Sequence, residues 1–245
     1  PYILQPIMAR ALRVSGNFLR LISAPFSGGS FGLKQSIYPY IVLLAAASRI
    51  CGRPLKWTED RLEHLMASSS AADRADELEA AFTSDGTLLG LRFKNCVNVG
   101  AYVRAPEPAS VYRMHAASNG CYAVKNISIQ NKLVSTNKMP VGLNRGYGGP
   151  QFYYGLERMM DLTARKLNID TAEIRRKNFI PKDQFPYHAP AGAIYDSGNY
   201  SEALDLLLKL SNYENIKRRR KQARAAGKLF GIGTVSYTHL RAHET

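Results

Sequence analysis

Two short stretches carry residue types and spacings suited to chemistry. Ser27-Gly28-Gly29-Ser30-Phe31-Gly32-Leu33-Lys34-Gln35 places three glycines and one large aromatic within five positions. Glycines so placed allow positive φ and a close approach of backbone to a ligand. The lone Phe sets the stretch apart from a flexible linker. It reads either as a tight strand-to-helix turn or as a ligand loop. A second cluster, Asn144-Arg145-Gly146-Tyr147-Gly148-Gly149-Pro150-Gln151, again precedes a helical pattern and decides for the ligand loop. The phosphate-binding patterns GxxxxGK[ST] and GxGxxG are absent, which leaves little for a nucleotide enzyme.

Other candidate groups are weaker. Asp60 and His64 lie one helical turn apart, but a lone Asp–His pair beside a helix cap is a structural pattern, not a metal site. With Glu63 three residues on, Asp60 is read as a capping box. Cys51, Cys96 and Cys121 are far apart and form no CxxC pair, so no zinc or iron–sulfur site is expected in this chain. They read as buried free thiols in a reducing cytoplasm. The formal charge of +14 has seven of its cations in Lys217–Lys228, a stretch without acid or aromatic. Its spacing puts Ile216, Ala223 and Phe230 on one side, so it reads as a solvated helix face and no nucleic-acid partner is expected.

The elements that must position these groups follow from periodicity. Phe18–Ile22 reads as a strand entering the first glycine loop, and Ser36–Ile50 as a buried helix closed by Gly52. Pro54–Thr58 reads as a short strand. Asp85-Gly86 is a hairpin turn between Leu78–Ser84 and Leu88–Val99. Asn126–Val134 alternates as a strand, while Phe152–Leu167 and Thr171–Asn178 read as helices. Prolines and glycines between Pro181 and Gly198 mark a connector, and Tyr200–Lys228 reads as two helices broken near Asn212. Gly231–Thr234 looks like the start of a strand. The longest apolar run, Ile41–Ala47, is too short to span a bilayer. With 45% apolar and 21% charged residues, the chain is expected to fold as α+β with mixed sheets.

Three segments in order carry a resemblance: Gly28-Gly29-Ser30-Phe31-Gly32-Leu33-Lys34, Gly52–Glu63, and Arg145-Gly146-Tyr147-Gly148-Gly149-Pro150-Gln151. It continues through Arg175–Phe179 and Asp196–Tyr200 and covers about residues 5–234. The chain resembles the molybdopterin-binding large subunit of the xanthine dehydrogenase, aldehyde oxidase and aerobic carbon monoxide dehydrogenase family. The resemblance implies a cytoplasmic molybdenum hydroxylase acting with water on a small molecule, an aldehyde or aromatic heterocycle. It implies a molybdenum–pyranopterin cofactor, in the cytosine dinucleotide form, with no protein ligand to the metal. An FAD-binding subunit and a 2Fe-2S subunit are the implied partners. Residues 1–180 would form a first cofactor-binding subdomain, 181–199 a connector and 200–234 the start of a second.

Carried over by position, Gly29, Phe31, Gly32, Arg145 and Gly146 would lie against the cofactor, mainly through backbone groups. Backbone N–H groups fixed in advance can stabilise negative charge there without reorganising. Gln35, Arg113 and Tyr147 would face the substrate. Gln35 stands where purine oxidisers carry a glutamate, so purine oxidation is not expected. Gly146 stands where the carbon monoxide enzymes carry a copper-holding cysteine, so neither is a copper–molybdenum centre. Ser30 replaces the third glycine of the usual triplet, implying a φ that does not strictly need glycine. The family's catalytic glutamate lies beyond residue 234, and no glutamate between Glu59 and Glu214 matches it by position. A cofactor-contacting glutamine likewise lies upstream of position 5. The chain therefore reads as an internal piece, inactive alone, with no catalytic residue of its own. Residues 235–245 resemble a translated sequencing adapter and are left out of the reading.

Overall fold

The computed structural model describes residues 4–26, 28–34, 38–104 and 107–235. Gln35 lies outside these residues, as do residues 236–245, most of the tail expected to be foreign. The elements run α1 (Leu4–Leu12), α2 (Tyr38–Cys51), α3 (Arg61–Ala67), β1 (Asp73–Phe82), β2 (Leu88–Gly100), α4 (Ala109–Tyr112), β3 (Asn126–Ser135), α5 (Gly149–Leu167) and α6 (Thr171–Asn178). A two-stranded hairpin, β4 (Tyr187–His188) with β5 (Ile194–Tyr195), precedes α7 (Tyr200–Leu210) and α8 (Tyr213–Ala225). No helix among the described residues is long and apolar enough to cross a membrane.

The three long strands hydrogen-bond in the order β1-β2-β3. Side chains pair Arg92 with Glu79, Lys94 with Glu77 and Asn98 with Asp73, so β1 and β2 run antiparallel. Asn95 pairs with Asn131 and Asn98 with Thr136, so β3 runs parallel to β2. The sheet is mixed, as expected. Its hairpin turns at Asp85-Gly86, where Gly86 takes φ +87° and its N–H donates to Thr83 O at 3.0 Å. Such a backbone is one that glycine adopts without penalty.

By contacts the chain divides into two compact units that interleave along the sequence. The first takes residues 1–74, 97–110 and 133–147; the second takes 75–96, 111–132 and 148–245. In the second, α5 buries Phe152, Leu156, Met160 and Ala164, one face at a spacing of four. These pack with Leu88 and with Leu91 and Phe93, which alternate along β2, and with Ile174 of α6. Asn178 ties α6 to the hairpin: its Nδ2 donates to Gly86 O at 2.9 Å, and its Oδ1 accepts from Leu88 N at 2.7 Å. Arg175 is wholly buried beneath α5. Its Nε donates to Glu157 Oε2 at 2.8 Å and its Nη1 to Thr171 O at 2.8 Å, while Tyr122 Oη donates to Glu157 Oε1 at 2.8 Å.

Several local expectations differ: of the cysteines read as buried, Cys121 is, but Cys51 and Cys96 are exposed. Of Phe18–Ile22, Phe18 ends a short 3-10 turn (Gly16–Phe18) and residues 19–22 form no strand among the described residues. A strand needs a ladder partner, and here the Leu19 carbonyl accepts from the Gln5 side chain at 3.0 Å. Residues 54–58 and 231–234 also stay outside strands. The basic stretch forms α8 with Arg218, Arg219, Lys221 and Arg224 exposed, a solvated face as expected. Phe230 falls beyond its end and meets the Arg219 guanidinium 5.3 Å from the ring centre.

Buried in the first unit, Glu107 Oε2 accepts from Ser110 Oγ at 2.5 Å and from Ser110 N at 3.3 Å. Burial raises its pKa against the opposing pull of those two bonds. A raised carboxyl value means that folding favours the protonated acid. That contribution is present in full below the ordinary carboxylate range and is lost as pH rises through the folded value. Glu107→Gln keeps the shape without the charge, so thermal melts are expected to show the variant above wild type at about pH 8 and level with it near pH 4.

Candidate functional site

The residues of the first glycine loop take the backbone that their types permit, with one exception. Gly29 and Gly32 adopt φ +100° and +102°. Phe31 adopts φ +52°, and for a bulky residue a positive φ is a strained state that persists only where surroundings impose it. Strain of this kind concentrates at functional sites. Ser30 avoids positive φ, and its Oγ accepts from Gly32 N at 3.2 Å, closing the turn from within. A small hydroxyl residue thus serves where the family pattern has glycine.

The second loop meets the first inside the same unit. A Cβ added at Gly32 would lie 2.9 Å from Leu143 O, so only glycine lets the two backbones approach this closely. The Arg145 guanidinium lies 5.2 Å from the centre of the Phe31 ring, a cation–π contact worth about 0.5–1 kcal/mol at an exposed position. Arg145 N donates to Asn144 Oδ1 at 2.8 Å, and Tyr147 N donates to Asn144 O at 2.8 Å, which holds the turn. Gly146 takes φ +76°. The second loop is itself anchored: Ser70 bridges Val141 in parallel, with Ser70 N donating to Pro140 O at 3.0 Å and Gly142 N to Ser70 O at 2.9 Å.

Neighbours that sequence reading did not single out complete the support. Ser69 Oγ donates to Leu33 O at 3.3 Å, and the buried Arg104 reaches Ser68 O at 2.9 Å and Ser69 Oγ at 3.3 Å. Lys34 Nζ donates to Glu59 Oε2 at 2.5 Å and stands 2.8 Å from His64 Nδ1. The Asp60–Glu63 capping box is present and starts the helix that carries His64. The apparent Asp60–His64 pair is therefore split: Asp60 caps, while His64 meets Glu59 at 2.9 Å. No local pattern announces these partners, because each pairing spans 5 to 36 residues.

Of the expected site residues, Gly29, Phe31, Gly32, Arg145, Gly146 and Tyr147 all belong to these two loops of the first unit. Arg113 belongs to the second unit, just past α4, with an exposed side chain. The loops suit an anionic, oxygen- and sulfur-rich group. Beside Gly28 and Gly29 a Cβ would meet nothing within 4 Å, and the backbone N–H groups of Gly29, Ser30 and Phe31 make no hydrogen bond among the described residues. Arg145 adds an exposed positive charge beside them.

Comparison with known proteins agrees with this geometry. Residues 1–179 match the family model of the molybdopterin cofactor-binding domain. The chain is 36% identical over 247 residues to the carbon monoxide dehydrogenase large chain of Hydrogenophaga pseudoflava, covering 98% of this chain and 30% of that one. It is 34% identical to the nicotine 6-hydroxylase large subunit of Paenarthrobacter nicotinovorans, covering 91% and 28%. The structure of quinoline 2-oxidoreductase from Pseudomonas putida 86 superposes with a TM-score of 0.87 at 31% identity, covering 93% of this chain and 29% of that one. The chain thus spans about three-tenths of the length of these relatives. The matched stretch takes in both glycine loops and the strands between them, and on that footing this chain belongs to the molybdopterin cofactor-binding domain family.

Proposed function

We propose that the two glycine loops form one wall of the cofactor site in the large subunit of a molybdenum hydroxylase. The observation that carries this reading is Phe31, held at positive φ against Arg145 while Gly32 backs onto Leu143. Gly29, Phe31, Gly32, Arg145 and Gly146 face the cofactor, and Tyr147 the substrate. When bound, the molybdenum–pyranopterin group, in its cytosine dinucleotide form, supplies hydroxylation of a carbon with oxygen from water and accepts two electrons. The chain's own part is to bind and to orient. Fixed N–H groups of the first loop hold negative charge in place, and the Arg145 cation adds to that field. The catalytic base belongs to the longer protein that this reading implies.

The substrate is a small aldehyde or aromatic nitrogen heterocycle. Two relatives are named for nicotine and quinoline, and Gly146 offers no side chain to hold copper. Electrons leave through a 2Fe-2S subunit and an FAD-binding subunit, in a cytoplasmic complex. The test is cofactor retention: protein made in cells that assemble molybdopterin is expected to carry stoichiometric molybdenum and to release a fluorescent pterin on denaturation. Metal-free protein that instead shifts a DNA probe with a steep salt dependence would replace this reading with nucleic-acid binding by the cations of α8.

A further inference from the structure

Lys34, two residues past Gly32, ends in a triangle with Glu59 and His64. Its Nζ lies 2.5 Å from Glu59 Oε2 and 2.8 Å from His64 Nδ1, and Nδ1 lies 2.9 Å from the same Oε2. All three side chains are partly shielded from solvent. One ring nitrogen cannot serve both neighbours. A bare Nδ1 accepts a hydrogen bond from the Lys34 ammonium but offers nothing to Glu59. A protonated Nδ1 donates to Glu59 but turns an N–H towards the ammonium.

We propose that Glu59 and His64 are positioning residues that latch the first glycine loop through Lys34, and that protonation of His64 opens the latch. With a neutral imidazole, Lys34 has two acceptors and its neighbours carry one negative charge. Adding a proton gives two cations sharing one carboxylate within 3 Å, and His64 takes the Glu59 oxygen that Lys34 was using. The proton comes from solvent and no other bond changes.

Among the described residues, the charged and titratable groups around the ring come from neighbouring segments. Glu59 comes from the segment before α3, Lys34 from the loop, and Asp60, Arg61 and Glu63 from the cap and first turn of α3. Glu63 is occupied with Asp60 N at 2.8 Å, and from α2 the Tyr40 hydroxyl donates to Ala67 O. Burial pushes the Glu59 carboxyl up, yet its bonds to Lys34 and His64 outweigh that and hold it below the usual range, so it stays the anionic corner. Histidine as a residue type changes charge between about pH 5 and 8, which sets the two pH values compared in the test. The latch belongs to this chain's own side chains; only its consequence for the cofactor rests on the proposed function.

The test is amide hydrogen exchange of Gly32 and Leu33, whose N–H groups donate to Ser30 within the loop, in the full chain and corrected for intrinsic rates. Wild type is expected to exchange about tenfold faster near pH 5.5 than near pH 7.5. His64→Gln, a neutral acceptor at both values, is expected to stay slow at both. Lys34→Met is expected to be fast at both, and circular dichroism checks that each variant folds. Equal protection of wild type at both values, or an unchanged response in His64→Gln, would overturn the latch. Molybdenum retained after dialysis is the second readout: wild type loses it at the lower pH and His64→Gln keeps it. Exchange that responds while molybdenum stays bound leaves the latch standing and overturns the loop as a cofactor wall.

Discussion

Alanine at position 32 is expected to strip the protein of molybdenum while leaving it folded. Two costs add at this one atom. At φ +102° an L-residue is strained by roughly 1–3 kcal/mol. The new methyl would also sit 2.9 Å from Leu143 O, and a backbone carbonyl cannot swing aside as a flexible side chain can. The loops must part, and with them the Phe31–Arg145 contact. A fall of at least about tenfold in metal per chain is expected from 1.4 kcal/mol or more of lost binding, read by elemental analysis. Gly29→Ala shares the strained φ but meets nothing within 4 Å, so its loss should be smaller. Equal metal in Gly32→Ala and wild type would remove this loop from the site.

The second large effect lies in the other unit. Arg175→Met is expected to cost about 3–5 kcal/mol of stability, measured as a shifted urea midpoint. The arginine side chain is fully buried, and removing it takes away the Nε–H that donates to the shielded Glu157 carboxylate and the Nη1 that faces Asp161 at 3.0 Å. The double change Arg175→Met with Glu157→Gln should recover part of the loss, because the isolated charge is then gone. A double variant no more stable than the single one would show that packing, not charge, sets the cost.

Legibility in the sequence followed the range of the interactions. Local signals read well: the Asp85-Gly86 turn, the capping box at Asp60, the α5 face and the break at Asn212, which takes φ +50°. Each is decided within a turn or two of chain. The two glycine loops were visible because glycine clusters are rare and carry backbone information directly. Their meeting was not, since the Leu143 carbonyl leaves no mark in its own sequence. The supports failed for the same reason. Ser69, Arg104, Glu59 and His64 matter through partners far along the chain. Phe18–Ile22 shows the opposite error: strand-like alternation that forms no strand among the described residues.

The interleaving of the two units bears on synthesis. The first glycine loop leaves the ribosome early, but the carbonyl that Gly32 rests against is made about 110 residues later, after two stretches of the other unit have passed. Until then the loop is shaped by the Ser30 hydroxyl within it and by Glu59, His64 and Ser69 on the stretch that follows. The first unit cannot close as an independent nascent domain, so cofactor loading must wait until translation has passed the second loop.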